Sequence, residues 1–293
     1  MRAVGGGSVL SLAGCAEPTA STEESDPAFA GESLTLATAT TAADSGLLDA
    51  VHPAFERGFG VSVDTVVRGT GGSLETARNG DCDVVIVHAR PLEDGFLRAG
   101  DGINRRSLMV NDFLLVGPPD DPAGAAGRDP VAAFRAIADA EAPFLSRGDR
   151  SGTHLRELRL WEEAGVDPAG SWYGETGQGM GNTLVTAGQT GSYTLTDRGT
   201  YRNVASGDRL APHVDRGIDD PPPLLRNEYA AIPVNPARYD VSYTLAMAYL
   251  GYLTGPGRER IGAFRVDGEP AFRPLGAAEE PEFEQYVPSG WPG

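Results

Sequence analysis

The chain has no lysine. All 24 of its basic residues are arginine, set against 41 acidic residues, for a net charge of −17. So acidic a chain is not drawn to nucleic acid or to an anionic membrane surface, since both repel it. Cysteine is almost missing: Cys15 and Cys82 cannot make a disulfide framework. Asp81 and Asp83 flank Cys82 and disfavour its thiolate, so it reads as structural. The histidines His52, His88, His154 and His213 are scattered, and none makes a metal pair at helical spacing. No run reaches the ~18 apolar residues that a membrane-spanning helix needs. No repeat recurs at a solenoid period.

What is present fits a soluble globular protein: 40% hydrophobic and 22% charged residues, in a chain of 293 residues, enough for one large or two medium domains. The acid-rich, lysine-free composition resembles the surfaces of salt-loving proteins, where molar salt screens self-repulsion over about 3 Å. Cys15 closes the string Val9-Leu-Ser-Leu-Ala-Gly-Cys, which is similar to a lipobox. Residues 1–15 then read as a signal segment with Cys15 as the lipidated residue, and polar residues 16–33 as a flexible tether. A chance cysteine in an irregular N-terminus is the alternative.

Beyond the tether, strand and helix alternate. Ser33–Thr38, Val61–Val67 and Asp83–His88 have strand character, interleaved with helical spacing at Leu47–Arg57 and Leu74–Asn79. This order predicts a parallel sheet with loops gathered at the C-terminal ends of its strands. A strand at Asn111–Gly117 ends in Pro118-Pro119, and a second unit follows. It has helices at Pro130–Ala140, Leu155–Glu163 and near Asn182–Gly188, with strands at Pro143–Leu145 and near Ser192–Thr196. Residues 203–227 read as an exposed connection, Tyr229–Val234 as a strand returning to the first unit, and Val241–Leu253 as a buried helix. The expected organisation is lobe 1 over residues 34–117 and 228–275, lobe 2 over 118–227, and a loose acidic tail over 276–293.

Three turns carry the chemistry. Residues 146–153, Ser-Arg-Gly-Asp-Arg-Ser-Gly-Thr, set a permanent cation among hydroxyls and glycines just before a helix. Thr38-Ala-Thr-Thr-Ala-Ala-Asp-Ser-Gly and Arg68-Gly-Thr-Gly-Gly-Ser make similar junctions. Each aims free backbone N–H groups and the positive end of a helix at one point, which suits an anion. In an acidic chain such a site must rely on local dipoles, a nearby cation and exclusion of water.

These strings, with Asp83-Val-Val-Ile-Val-His-Ala-Arg, Asn111-Asp-Phe-Leu-Leu-Val-Gly-Pro, Trp172-Tyr-Gly-Glu-Thr-Gly-Gln-Gly-Met-Gly and Tyr193-Thr-Leu-Thr-Asp-Arg-Gly-Thr-Tyr, resemble the tungstate-binding proteins of ABC uptake systems from about Leu34 to Phe272. The resemblance implies an α/β fold of the two-lobed, type II periplasmic-binding-protein kind. Each lobe would be a mainly parallel sheet flanked by helices, with the ligand in the cleft between them. With the lipobox at Cys15, the expected protein is a monomer outside the cytoplasm, held to the membrane by its lipid anchor. Such a monomer would deliver tungstate, or molybdate, to a permease without a cofactor, metal ion or catalytic residue. Carried over by position, the ligand loops are Thr38, Thr40 and Thr41; Gly69 and Thr70; and Arg147 with Ser151, Gly152 and Thr153, joined by Thr176 and Gly177. Ala39 and Ala42 stand where the family's first loop has hydroxyls, and Gly72-Ser73 where Gln-Ala is common.

A fully deprotonated tetrahedral oxyanion only accepts hydrogen bonds, so its site needs donors and no carboxylate facing the ligand. A protonated phosphate needs an acceptor as well, for which Asp44 and Asp149 are the candidates. Asp44 is expected to cap the helix at Leu47, and Asp149 to hold Arg147 or Arg150 or to cap the next helix. A phosphate or sulfate binder is the nearest alternative. A serine hydrolase built on Ser151 and His154 is a remoter one: Gly-x-Ser-x-Gly is absent, and the short spacing works against that pair.

Overall fold

The computed structural model describes residues 27, 29–204 and 209–275; Cys15, most of the expected tether and the tail from 276 lie outside them. The chain opens with β1 (Ser33–Ala39), α1 (Thr40–Asp44), α2 (Leu47–Phe59), β2 (Ser62–Arg68), α3 (Thr70–Arg78), β3 (Val84–Val87), α4 (Arg90–Arg98) and β4 (Arg106–Gly117). The middle of the chain forms α5 (Pro130–Asp139), β5 (Phe144–Ser146), α6 (Gly152–Ala164), β6 (Tyr173–Glu175), α7 (Met180–Thr190), β7 (Thr194–Asp197), α8 (Arg198–Val204) and β8 (Ala211–Val214). It closes with β9 (Arg226–Pro233), α9 (Tyr243–Thr254), α10 (Pro256–Ala263) and the short strands β10 (Arg265–Val266), β11 (Glu269–Pro270) and β12 (Arg273–Pro274).

The main sheet runs β12-β4-β9-β3-β1-β2. β2, β1 and β3 are parallel, as the strand–helix alternation predicts, but β9 enters antiparallel between β3 and β4. The sheet is therefore mixed, although β2, β1, β3 and β4 all run in one direction. The reason is topological: the chain leaves this sheet along β4 and returns along β9, so the two neighbours must run in opposite senses. Twelve-residue β4 is the shared spine. Its Arg106–Asp112 half pairs with β9, and Phe113–Val116 pairs with β7, antiparallel.

Alternation along these strands builds the cores. On β3, Val84 and Ile86 join Leu34, Phe55 and Tyr249 on one face, while Val85 and Val87 join Leu74, Phe96 and Ile232 on the other. A strand buried on both faces is apolar throughout, which is why Val84–Val87 shows no polar alternation. On β4, Phe113 and Leu115 meet Phe134, Phe144 and Trp161, and Leu114 and Val116 meet Met180 and Leu184. One strand thus has each of its faces in a separate core of the second lobe.

Residues 203–227 differ from the expected exposed connection. Ala211–Val214 forms β8 against β4, and Leu225 is buried. Its prolines are tolerated because β8 is short and lies at the margin of the pairing.

Candidate anion-binding site

The first turn leaves β1 at Ala39, which begins α1 without a side-chain cap. Its threonines differ in what they can offer. Thr38 is buried and donates to the Ile86 carbonyl at 3.2 Å. Thr40 accepts from Arg147 Nη2 at 3.0 Å, a bond between residues 107 apart in sequence. Thr41 sits inside a polar network: its Oγ1 lies 3.1 Å from His88 Nε2 and accepts from the Tyr229 hydroxyl at 3.0 Å.

The polarity of that network follows from its far end. Asp197 Oδ1 accepts from Asn111 Nδ2, so Asn111 Oδ1 is left to accept from Asn227 Nδ2, at 2.8 Å. Asn227 Oδ1 then faces His88 Nδ1 at 2.8 Å, which places the ring hydrogen on Nδ1 and makes Nε2 an acceptor. The Thr41 hydroxyl donates to it. Burial, more than any charge, pulls the His88 pKa down to about 4, so the ring is neutral at ordinary pH.

The Arg147 turn is built differently. Gly148 takes a left-handed φ of +64°, and its N–H donates to Ser146 Oγ at 3.1 Å. Arg147 is 1% exposed. Its Nε reaches the Gln178 carbonyl at 3.3 Å, and Nη2 bonds both Thr40 and Asp149 Oδ2, the latter at 2.6 Å. Nη1 has no partner. Ser151 caps α6 by accepting from the His154 N–H at 3.3 Å, and its own N–H is taken by Asp149 Oδ1 at 3.0 Å. Asp149 thus holds Arg147 and the turn together. His154 Nδ1 accepts from the Arg150 N–H at 2.9 Å, so the imidazole is not paired with the Ser151 hydroxyl.

The turns touch. A methyl placed on Gly69 would lie 3.6 Å from Asp149 and 3.7 Å from Ser151, and one on Gly152 would strike the His88 ring at 2.7 Å. Only glycine lets the start of α6 approach that ring. Around this contact Thr70 Oγ1, Ser73 Oγ, Thr153 Oγ1 and Arg147 Nη1 are buried without a hydrogen-bond partner. A buried polar group with no partner costs roughly 1–3 kcal/mol, so four from two touching turns, Gly69–Ser73 and Arg147–Thr153, mark a place that an acceptor-rich ligand would complete.

The PBP superfamily domain matches residues 16–256, far more than half of the chain. This chain belongs to the PBP superfamily. A Haloferax volcanii protein with the provisional name of ABC transporter anion-binding protein is 50% identical over 307 residues, covering 100% of this chain and 90% of that one. A tungstate-binding protein of Peptoclostridium acidaminophilum is 38% identical, covering 92% of this chain and 94% of its own. The crystal structure of a tungstate ABC transporter protein from Geobacter sulfurreducens superposes with a TM-score of 0.72 at 45% identity, covering 79% of this chain and 98% of that one. The two-lobed α/β fold of a type II periplasmic-binding protein is thereby established.

Within this PBP-superfamily protein the predicted residues divide. Thr40, Gly69, Thr70, Arg147, Ser151, Gly152 and Thr153 meet at the contact. Thr38 and Thr41 are there too, but their hydroxyl hydrogens are directed at Ile86 and His88. Gly177 is exposed and its N–H donates to the Arg147 carbonyl at 2.8 Å, while the Thr176 N–H donates to the Ser146 carbonyl at 3.0 Å. These two support the turn rather than present free donors. Asp44 does not cap the helix at Leu47. Ser45 Oγ takes the Leu47 N–H, and Asp44 Oδ2 reaches across to the Gly181 N–H at 3.3 Å. The residues that sequence reasoning missed are His88, Asn111, Asp197, Asn227 and Tyr229. Of these, His88, Asn111 and Asp197 stood inside recognised strings, whereas Asn227 and Tyr229 lay outside them.

Proposed function

We propose that the protein captures tungstate, with molybdate as close competitor, and hands it to an ABC permease outside the cytoplasm. The observation carrying this reading is the Arg147 guanidinium: fully buried, clamped by Thr40 and Asp149, with Nη1 lacking a partner. A planar cation held this way presents a fixed edge to an oxyanion. The Thr70, Ser73 and Thr153 hydroxyls and the free N–H groups at the helix starts supply the other donors. Thr40, Gly69, Ser151 and Gly152 shape the contact, and Thr176 and Gly177 brace it from behind. The lobes divide near residues 112 and 226, where β4 passes into the second lobe and β9 returns to the first, so closure brings the Arg147 turn onto the first two.

The protein acts by binding rather than turnover. Ser151 is a helix cap whose hydroxyl accepts from the His154 N–H, and the His154 imidazole accepts from the Arg150 N–H instead of from that hydroxyl. A membrane tether at Cys15 would keep the protein beside its permease, and a lysine-free acidic surface would keep it soluble in strong salt. Calorimetry with tungstate, molybdate, sulfate and phosphate in high salt tests the reading. Tungstate is expected to bind tightest; sulfate or phosphate in first place would overturn it.

A further inference from the structure

Asp197 closes the polar network in the second lobe, at the junction of β7 and α8, and its surroundings are unusual for an acid. The residue is 0% exposed. Oδ1 accepts from Asn111 Nδ2 at 3.3 Å and from the Thr200 N–H at 2.9 Å, whereas Oδ2 makes no hydrogen bond of ordinary geometry, the Thr200 hydroxyl being the side-chain donor turned toward the carboxyl. An ionised carboxylate would leave a charged oxygen fully buried without a hydrogen bond of ordinary geometry, which is costly. An unbroken chain of hydrogen bonds links this carboxyl through Asn111, Asn227 and His88 to Thr41 in the first ligand turn.

The charges facing Asp197 add to the problem. From α1, across the lobe contact, comes Asp44, and from the turn after β5 comes Arg147. β9 contributes the un-ionised Tyr229, while its Arg226 and Glu228 pair with each other, and α7 has no ionisable side chain. On β4, Asp112 is paired with Arg198 of α8 through two hydrogen bonds, which Asp215 reinforces. On α6, Glu157 is engaged by Trp161 and Tyr173, and His154 by the Arg150 backbone. On β10, Arg265 is engaged by the Gly262 and Phe264 carbonyls. Arg156 is engaged by the Pro223 and Arg226 carbonyls, and Arg198 by Asp112 and Asp215. The Arg147 guanidinium therefore serves Asp149, Asp44 and Asp197 together. Adding a dianion to that set, with every acid ionised, opposes its capture.

Resting on the functional reading above, we propose that Asp197 takes up a proton from solvent on Oδ2 when the oxyanion is captured, making binding proton-linked. The proton removes a charge that repels the dianion and turns Oδ2 into a donor. Burial already raises this carboxyl to about 6, and a bound dianion raises it further. Since the bound form holds the extra proton, affinity rises as pH falls.

Calorimetry with sodium tungstate on the intact protein, between pH 6.5 and 8.5 in buffers of different ionisation enthalpy, tests this. Up to one proton is expected to be taken up per anion, with affinity falling toward tenfold per pH unit. Asp197→Asn, which keeps the shape and the Asn111 and Thr200 bonds, should abolish the uptake and flatten the profile, whereas Asp44→Asn should retain both. Tungstate binding with no proton uptake and a flat profile in the unaltered protein would overturn this inference alone, without need of a variant. So would uptake that survives Asp197→Asn. Absence of tungstate binding at every pH would instead overturn the functional reading, and this inference with it.

Discussion

The turn after β1 and the turn after β5 meet at the same place but bring different things to it. The first has three threonines in four residues, yet Thr38 donates into the sheet, Thr41 donates to His88, and Thr40 accepts from Arg147. The second has one buried arginine, Arg147, and one inward threonine, Thr153, and both keep a buried polar atom without a partner. A count of hydroxyls therefore overstates what the first turn can give a ligand. What matters is which donors the fold leaves unsatisfied, because an engaged hydroxyl must break one bond to make another. The lobes also differ in how they treat buried acids. Glu93 in the first is paired with Arg105 at 2.8 Å, whereas Glu157 beneath the second turn is surrounded by neutral donors, Trp161 and Tyr173.

The largest expected effect is on the second turn. Arg147→Ala should weaken tungstate binding by about 2–4 kcal/mol in calorimetry while the circular dichroism spectrum stays native. A loss smaller than that of any threonine variant would reverse the ranking of the two turns. Next comes Glu157, whose carboxyl burial raises to about 7 from its ordinary 4.5. A raised folded pKa gives stability that is complete below the unfolded value and is lost as pH climbs through the folded one. Thermal melts should therefore show up to ~3 kcal/mol of stability fading between about pH 4.5 and 7. Glu157→Gln should remove that slope; a slope unchanged in the variant would mean the acid is not the source.

Gly152→Ala tests the contact itself. Its methyl would sit 2.7 Å from the His88 ring, so the turns could not close fully, and affinity should drop by about 1–3 kcal/mol with stability nearly unchanged. Smaller still are the single hydroxyls. Thr153→Val and Thr70→Val should each cost affinity by about 1 kcal/mol, against less than about 0.5 kcal/mol for Thr38→Val, whose loss should appear in the melting temperature instead. Equal losses of affinity at Thr38 and Thr153 would erase the distinction between the turns.

Much of the frame was readable in the residues. β1, β3 and α2 follow from short-range periodicity and were expected within a few residues. α4 was missed because Arg90–Arg98 is short and holds Gly95, and α8 because Arg198-Gly-Thr reads as a turn. β8 was hidden in a proline-rich stretch, since its evidence is a partner strand nearly a hundred residues earlier in the chain. The Arg147 turn was legible because cation, glycine and cap lie within eight residues. The role of Asp44 was misread for the opposite reason: its partner, Gly181, lies 137 residues away.

By itself the chain determined its alternation of strand and helix, its three turns rich in threonine, serine or glycine and the place of Arg147 inside one of them, because each rests on neighbours a few positions apart. Tertiary structure alone decided which donors stay free, that His88 and Asn227 orient Thr41, and that Asp197 ends their network. Hydrogen-bond satisfaction in a dry interior depends on every group within about 3 Å, and those groups come from strands and turns that meet only after folding.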